Sequence, residues 1–202
     1  MTASVPARIF GIAMIIAAAA ALGAFAESRR HSGEPAAPMS ATDVTFTHLM
    51  MNHHQQAVTI CDLLSPQAAP EIRTLAEQIK QTQLAEVGTM VGWLQMADEP
   101  LNPSHHEMGD HTGTSAPSMG MATREELSRL QRATSRDNET LFLQLMTRHH
   151  QGGTEMAIDE SRNGSNAAIR STALAMANEQ GQEIRLMQRL MTQRNATPLP
   201  FP

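Results

Sequence analysis

The strongest constraint on the fold of this chain is a pattern that occurs twice. Residues 50–58 read MMNHHQQAV and residues 146–154 read MTRHHQGGT, so Met-x-x-His-His-Gln recurs at a spacing of 96 residues. A spacing of 97 residues aligns a second pair of segments, which begin at Ile72 and Ile169. All four segments repeat apolar residues three and four positions apart, as one face of a helix does. The pattern predicts two copies of a helical hairpin.

Two such hairpins predict a bundle, because one hairpin alone cannot bury the apolar faces of both its helices. Aromatic residues make up only 3% of the chain, and the β-branched and aromatic runs that mark strands are missing. We therefore predict an all-α, ferritin-like four-helix bundle over residues 42–195. Its predicted parts are hairpin one (43–97), a His/Met-rich loop (98–122), a short helix (124–134), hairpin two (138–193) and a tail (196–202).

The first residues have the features of a targeting segment. Arg8 precedes a long apolar run, and Ala24-Phe25-Ala26 fits the small-x-small pattern of a signal-peptidase site. We predict a signal peptide over residues 1–26, a disordered leader over residues 27–41, and a secreted protein of the periplasm or cell envelope. The alternative is an uncleaved anchor, the only case in which a membrane is a predicted partner.

Charge and cysteine content exclude several functions. The net charge is −5 and no basic stripe with interleaved aromatics occurs, so nucleic acid is not a predicted partner. The single Cys61 excludes an intramolecular disulfide framework and a Cys-based zinc ribbon, and we interpret it as a buried structural thiol. The 15 methionines and 9 histidines favour soft or borderline metal ions as partners.

The repeated helices would place metal-binding side chains on their buried faces. His53 and His54 follow Met50 by one turn, within an arc of ~100°. On the second helix of each hairpin, a Glu stands one turn before a Met on an otherwise apolar face, where it needs a partner. Such a Glu would ligate the metal or orient an imidazole. The candidate metal site comprises Met50, His53, His54, Glu86, Met90, Met146, His149, His150, Glu183 and Met187.

Copper, as Cu(I) or Cu(II), is the predicted ligand, because thioether and imidazole together suit it, and another divalent metal is the alternative. The four methionines taken alone also fit a role as core filler. Asp43 and Glu139 fit first-turn helix charges as well as site carboxylates. The His/Met residues of the loop between His105 and Met121 fit either a weak capture site for metal or a solvated linker.

The quoted motifs also carry a family resemblance. DVTFTHLMMNHHQQAV and LFLQLMTRHHQGGTEMA resemble the paired His-His motifs of the domain-of-unknown-function family 305, over about residues 43–193. The resemblance implies a secreted, ferritin-like bundle and, for copper-resistance members, copper binding by Met and His. By their positions in these motifs, the resemblance implies that the binding residues are Met50, His53, His54, Met146, His149 and His150. The match to the family is weaker at Met90 and Met187. The chain departs from the pattern at Ile60, where Met is common, and at Gly152-Gly153, which would loosen the second helix.

Three functions remain open at this point. The preferred one is non-catalytic copper binding and sequestration outside the cytoplasm. The second is a ferritin-like metal-dependent oxidase, although the Glu-x-x-His spacing of such sites is absent and Glu86 and Glu183 lie on other helices than the His pairs. The third is a structural or interaction bundle in which His-His-Gln forms a hydrogen-bonded layer. The sequence leaves open whether the bundle is one chain or a homo-oligomer.

Overall fold

The computed structural model describes residues 38–102 and 119–201, and over these ranges it is all-helical with no strand. The all-α bundle prediction is confirmed. In chain order the helices are α1 (Ala41–Asp62), α2 (Pro70–Met96), α3 (Arg124–Arg132), α4 (Ser135–Asn163) and α5 (Ala167–Gln193). No helix in the described ranges combines the length and apolar character needed to cross a bilayer.

Two sequence predictions lie outside the described residues. One is the signal peptide at 1–26, together with most of the leader at 27–41. The other is the greater part of the His/Met-rich loop, with its candidate side chains His105, His106, Met108 and His111.

Local signals explain where the helices begin. Ser40 and Asp43 form a capping box at the start of α1, where Asp43 N donates to Ser40 Oγ and Asp43 Oδ2 accepts from Ser40 N. Asp43 is therefore a first-turn helix residue. Pro70 opens α2, where its missing N–H costs nothing. At α5 the cap is Asn166, whose Oδ1 accepts from Ala168 N and Ile169 N at 3.0 and 3.3 Å.

Helix packing forms two apolar clusters, one towards each end of the bundle. Helix α1 packs on α2, α4 packs on α5, and the α1–α4 contact joins the two hairpins. Residues of α1 beyond the His pair, such as Ile60, share one cluster with Phe142 of α4, which precedes its His pair. Phe46, before the pair in α1, shares the other cluster with Ala157, beyond the pair in α4. Helices α1 and α4 are thus antiparallel.

A polar layer separates these two apolar clusters. Its buried members come from all four long helices, and they are His53, His54, Gln83, His149, His150 and Gln180. Because α1 and α4 run in opposite directions, their His pairs meet at the same height in the bundle. This layer brings four buried histidines together between the two apolar clusters, and it positions the candidate site.

Candidate metal centre

The structure brings the two His pairs together. All four side chains are at most 1% exposed. The rings of His53 and His149 stack with their centroids 3.6 Å apart and their planes 28° from parallel. We call these two the inner histidines; the outer histidines are His54, whose ring centroid is 6.4 Å from that of His53, and His150, at 6.2 Å from His149. Residues that are 96 positions apart in the chain therefore form one cluster of imidazoles.

Each outer histidine is paired with a glutamate of its own hairpin. His54 Nε2 lies 2.7 Å from Glu86 Oε2, and His150 Nε2 lies 2.7 Å from Glu183 Oε2. The two glutamate side chains are 17% and 15% exposed, so they stand at the rim of the layer. Burial, together with the charge of Glu183, raises the pKa of Glu86 to about 8. A carboxyl group in this position fixes the orientation of its imidazole.

The inner histidines bond to backbone carbonyls instead. His53 Nε2 donates to the carbonyl oxygen of Met119 at 3.1 Å, and His149 Nε2 donates to that of His53 at 3.0 Å. A carbonyl can only accept, so Nε2 carries the proton in both rings. Burial lowers the pKa of His53 to about 3 and that of His149 well below its ordinary value. Both rings are therefore neutral, with a lone pair on Nδ1.

The Nδ1 atoms are the unusual feature of the layer. In His53, His54, His149 and His150 alike, Nδ1 is buried and has no hydrogen-bond partner. Buried polar atoms are almost always paired, because an unpaired one costs about 1–3 kcal/mol. A metal-bound histidine coordinates through one ring nitrogen and gives the other N–H to a carboxylate or a carbonyl. All four rings are held through Nε2 by a carbonyl or a carboxyl group and leave Nδ1 without a partner, so the residues fit a metal ion with imidazole ligands.

Two glutamines complete the layer. Gln83 of α2 and Gln180 of α5 are buried, and their carboxamide oxygens also lack partners. Gln180 lies so close to α4 that a Cβ on Gly153 would be 2.3 Å from its Oε1 and 3.0 Å from Cε1 of His53. Glycine is thus needed at this position, where α1 has Ala57. Helix α4 runs through it without a break.

The candidate methionines lie on both sides of the layer. Met50, Met90, Met146 and Met187 are fully buried. Met50 and Met90 belong to one apolar cluster, and Met146 and Met187 belong to the other. Each hairpin therefore places two thioethers one helical turn from its own His or Glu residues, at its own end of the layer.

The described residues also limit the kind of metal centre. Within 38–102 and 119–201, no group of three or more His, Cys, Asp and Glu side chains is placed to hold a metal ion. A centre built from carboxylates and imidazoles alone, as a dimetal oxidase requires, is not formed in these ranges.

Three other candidates lie away from the layer. Cys61 is a free, buried thiol whose pKa is raised to about 12 by burial, so its thiolate is not available to a metal. Asp43 belongs to the capping box of α1. Glu139 accepts from Ala69 N at 2.7 Å and from Arg194 Nε at 3.0 Å, which ties α4 to the start of α2 and the end of α5.

One contributor could not be found from the sequence pattern. The carbonyl of Met119, which fixes the His53 proton, comes from the segment before α3 and 66 residues away in the chain. A backbone carbonyl has no signature in sequence. The nearest signal is the pair of glycines at 120 and 152, which permit a close approach of two backbones.

Comparisons with known proteins were made on the sequence and on the fold. A comparison with curated proteins found no match to this chain. Among solved structures, a presumed secreted DUF305 protein of Streptomyces coelicolor is 34% identical, with a TM-score of 0.71 over 79% of this chain and 96% of that one. A DUF305 fragment of Deinococcus radiodurans is 27% identical, with a TM-score of 0.67 over 77% and 99% of the two chains.

The third similar protein is CopM. Its Cu(II)-bound form is 26% identical, with a TM-score of 0.62 over 75% of this chain and 97% of that one. Its Cu(I)-bound form, at 24% identity over 77% and 99% and a TM-score of 0.62, adds the shared fold alone. The family model described as Domain of unknown function (DUF305) matches residues 43–191, which hold both hairpins and the whole polar layer. The chain therefore belongs to the DUF305 family.

Proposed function

We propose that this protein binds copper ions in its buried histidine layer, outside the cytoplasm, and sequesters them or passes them on without catalysing a reaction. The observation that carries the proposal is the set of four buried Nδ1 atoms without partners, on rings that are each held through Nε2. A purely structural polar layer would be expected to satisfy its own groups.

The two halves of the layer supply similar ligands. We assign Nδ1 of His53 and His54, with the thioethers of Met50 and Met90, to one half. His149, His150, Met146 and Met187 have the same roles in the other half. Glu86 and Glu183, which the sequence placed among the ligands, orient the outer imidazoles in this proposal, because their Oε2 atoms are already at hydrogen-bond distance from Nε2.

Copper is favoured over other metals by the donor set. Thioethers select soft ions such as Cu(I), and imidazole accepts either oxidation state of copper. Zinc and manganese gain little from thioether donors. CopM, which shares this fold, has been solved with Cu(II) bound, and this supports the same ligand here. A dimetal oxidase is less well supported, since the described ranges lack a three-membered cluster of carboxylates and imidazoles.

The location outside the cytoplasm rests on other grounds. The signal-like segment at 1–26 supports it, and so does the presumed secretion of the Streptomyces relative. Expression with the native leader, followed by mass spectrometry of the exported chain, tests it. Cleavage after Ala26 is the expected result, and a protein retained in the cytoplasm would contradict it.

Copper binding is tested by competition with a chromogenic Cu(I) chelator under anaerobic conditions, using the chain without residues 1–26. The quadruple replacement of His53, His54, His149 and His150 by Ala should abolish the tight component. The matched control is His48→Gln, because His48 is also buried but bonds to the Pro100 carbonyl at 2.7 Å, outside the layer. An unchanged copper stoichiometry in a quadruple variant that remains helical would contradict the proposal. Metal analysis under copper-replete and copper-poor growth tests which metal is carried.

A further inference from the structure

The segment that precedes α3, residues 119–122, contacts α1 and α4 next to His53; we call it the strap. All four of its carbonyls are bound by side chains of these two helices. The carbonyl of Met119 accepts from His53 Nε2 at 3.1 Å, and that of Ala122 accepts from Gln56 Nε2 at 3.0 Å. Those of Gly120 and Met121 accept from Arg148 at 3.3 and 3.2 Å. The strap is therefore held along its whole length.

Helix α1 grips the strap through Gln56. Besides donating to Ala122, its carboxamide oxygen accepts from Ala122 N at 2.7 Å, so the amide pairs with the backbone as a neighbouring strand would. Gln56 stands two residues after the His pair of α1. Its side chain is committed to the strap and is not part of the polar layer.

Helix α4 contacts the strap at Gly152, a residue without a side chain. A Cβ on Gly152, the position that corresponds to Gln56, would lie 1.8 Å from the carbonyl oxygen of Met119 and 2.2 Å from its carbon. Gly120 has a φ of +71°, and a Cβ there would lie 2.1 Å from the carbonyl of Arg148. Strap and helix are thus in backbone contact, which any larger residue at Gly152 would prevent.

Arg148 connects the strap to α3. Its guanidinium makes a bidentate pair with Glu126, at 2.9 and 2.6 Å, while it also binds the two strap carbonyls. Glu126 closes the capping box of α3 by accepting from Thr123 N at 2.8 Å. Bidentate pairs of this kind are strong and geometrically specific. The strap is therefore fixed at its downstream end.

These contacts make the two inner histidines unequal. His149 gives its Nε2 proton to the carbonyl of His53, within the bundle itself. His53 donates its Nε2 proton to the Met119 carbonyl of the strap. Of these two rings, His53 is the one whose proton is positioned by a segment outside the four long helices.

We propose that Gln56, Gly152 and Arg148 are positioning residues, which hold the Met119 carbonyl against His53 and so reserve Nδ1 of that ring for the metal ion. The inference rests on the proposed function and extends it to the control of one half of the site. Without this carbonyl, the buried Nε2 of His53 has no hydrogen-bond acceptor. The tautomer with the proton on Nε2 is then no longer favoured. The metal-binding atom of His53 would then be protonated in part of the molecules.

The test compares two variants of the chain without residues 1–26. Gly152→Ala adds one methyl group against the Met119 carbonyl, and Gln56→Leu removes both bonds to Ala122 without adding bulk to the contact. The control is Gly88→Ala, because a Cβ on Gly88 meets nothing within 4 Å in helix α2. Alanine favours a helix more than glycine does, so neither glycine replacement weakens its own helix.

The main readout is the pair of ring ¹⁵N shifts of His53 and His149 in the metal-free protein. The natural chain and Gly88→Ala should show Nε2–H in both rings. The two strap variants should shift His53 towards a mixture of tautomers and leave His149 unchanged. A His53 ring that keeps Nε2–H in both variants, or an equal change in both rings, would overturn the proposal.

Copper affinity provides the second readout. Loss of a group that orients a ligand typically costs 10- to 100-fold in metal affinity, so a loss of about that size is expected for the half that contains His53. The tautomer measurement needs no metal, so it tests the role of the strap independently of whether the protein binds copper. Absence of copper binding in the natural chain would refute the proposed function, whereas a normal affinity in both strap variants would refute the role of the strap.

Discussion

His53 and His149 stack face to face, with ring centroids 3.6 Å apart, and His149 Nε2 donates to the backbone carbonyl of His53. Two protonated imidazoles could not occupy this arrangement, because like charges in a buried site repel strongly. Burial accordingly lowers the pKa of both rings, and neighbouring histidines add to the effect, chiefly His54 for His53 and His53 for His149. The contact between the hairpins therefore keeps two ligand atoms free of protons.

This neutrality predicts an unusual pH dependence of copper binding. Metal ligands must be deprotonated, so a histidine with an ordinary pKa near 6.5 binds more weakly as the pH falls below that value. The pKa of His53 and of His54 is lowered to about 3, so both are already deprotonated at mildly acidic pH. We expect an almost constant Cu(I) affinity between about pH 5 and about pH 7. Competition titrations measure it, and a loss of about tenfold per pH unit would contradict the prediction.

The glutamates should act through the outer histidines. Glu86→Gln keeps an oxygen that can accept from His54 Nε2, whereas Glu86→Leu removes the acceptor. We expect the Leu variant to lose about 10- to 100-fold in copper affinity and the Gln variant to lose less. Glu183 should behave in the same way towards His150. The control is Glu155→Gln, at an exposed position of α4. Equal losses for Gln and Leu would argue that Glu86 itself ligates the metal.

The methionines can be tested without damaging the core. Met50→Leu and Met146→Leu conserve volume, and such exchanges usually cost less than ~1.5 kcal/mol in stability. If the thioethers are ligands, each variant should bind Cu(I) more weakly while Cu(II) affinity changes little, because Cu(I) is the softer ion. Met96→Leu is the control, since Met96 is 87% exposed. Unchanged Cu(I) affinity would leave Met50 and Met146 as packing residues only.

Away from the layer, a carboxyl pair predicts how stability depends on pH. Glu160 of α4 is buried next to Asp43 of α1. Burial, with the nearby charge of Asp43, raises the pKa of Glu160 to about 8. Burial also opposes ionisation of Asp43, but bonds from Ser40 and Asn166 outweigh it and hold its pKa at about 2. At neutral pH the pair thus shares one proton, carried by Glu160.

The sign follows from proton linkage. Between the unfolded pKa of 4.5 and the folded pKa of about 8, the native state holds a proton on Glu160 that the unfolded chain has lost. Its contribution to the free energy of unfolding therefore falls as the pH rises through this window. Asp43 contributes stability above its unfolded pKa of 3.8, and this is lost as the pH falls towards about 2.

Glu160→Gln should remove the alkaline part of this dependence. The amide is uncharged at any pH, as the protonated carboxyl is. We expect the variant to melt at a higher temperature than the natural chain at about pH 9 and at a similar temperature at about pH 5. Thermal unfolding of the metal-free proteins measures this, with Glu155→Gln as the control. Parallel pH profiles for Glu160→Gln and the natural chain would contradict it.

Much of the fold could be predicted from the sequence. Helix periodicity depends on neighbours three and four residues apart, so the apolar spacing around Met50 and Met90 was enough to predict helices with those residues inside. The same spacing placed His53 and His54 on the buried face, and the structure agrees. The start of α5 shows what local patterns leave out, because the backbone N–H groups of Ser165 and of its cap Asn166 both donate to Asp43 Oδ1 in another helix.

The sequence by itself therefore determined the helices, their buried faces and the residue types that face the interior, because these depend on local spacing and on burial. Only the tertiary structure decided which ring nitrogen is free. That choice depends on acceptors far away in the chain, the Met119 carbonyl 66 residues from His53 and the His53 carbonyl 96 residues from His149, and on the antiparallel packing of α1 and α4. It also explained Gly152 and Gly153, where a loosened helix was expected. Each glycine makes room for an atom of another segment, the Met119 carbonyl and the Gln180 carboxamide, and no local pattern records such contacts.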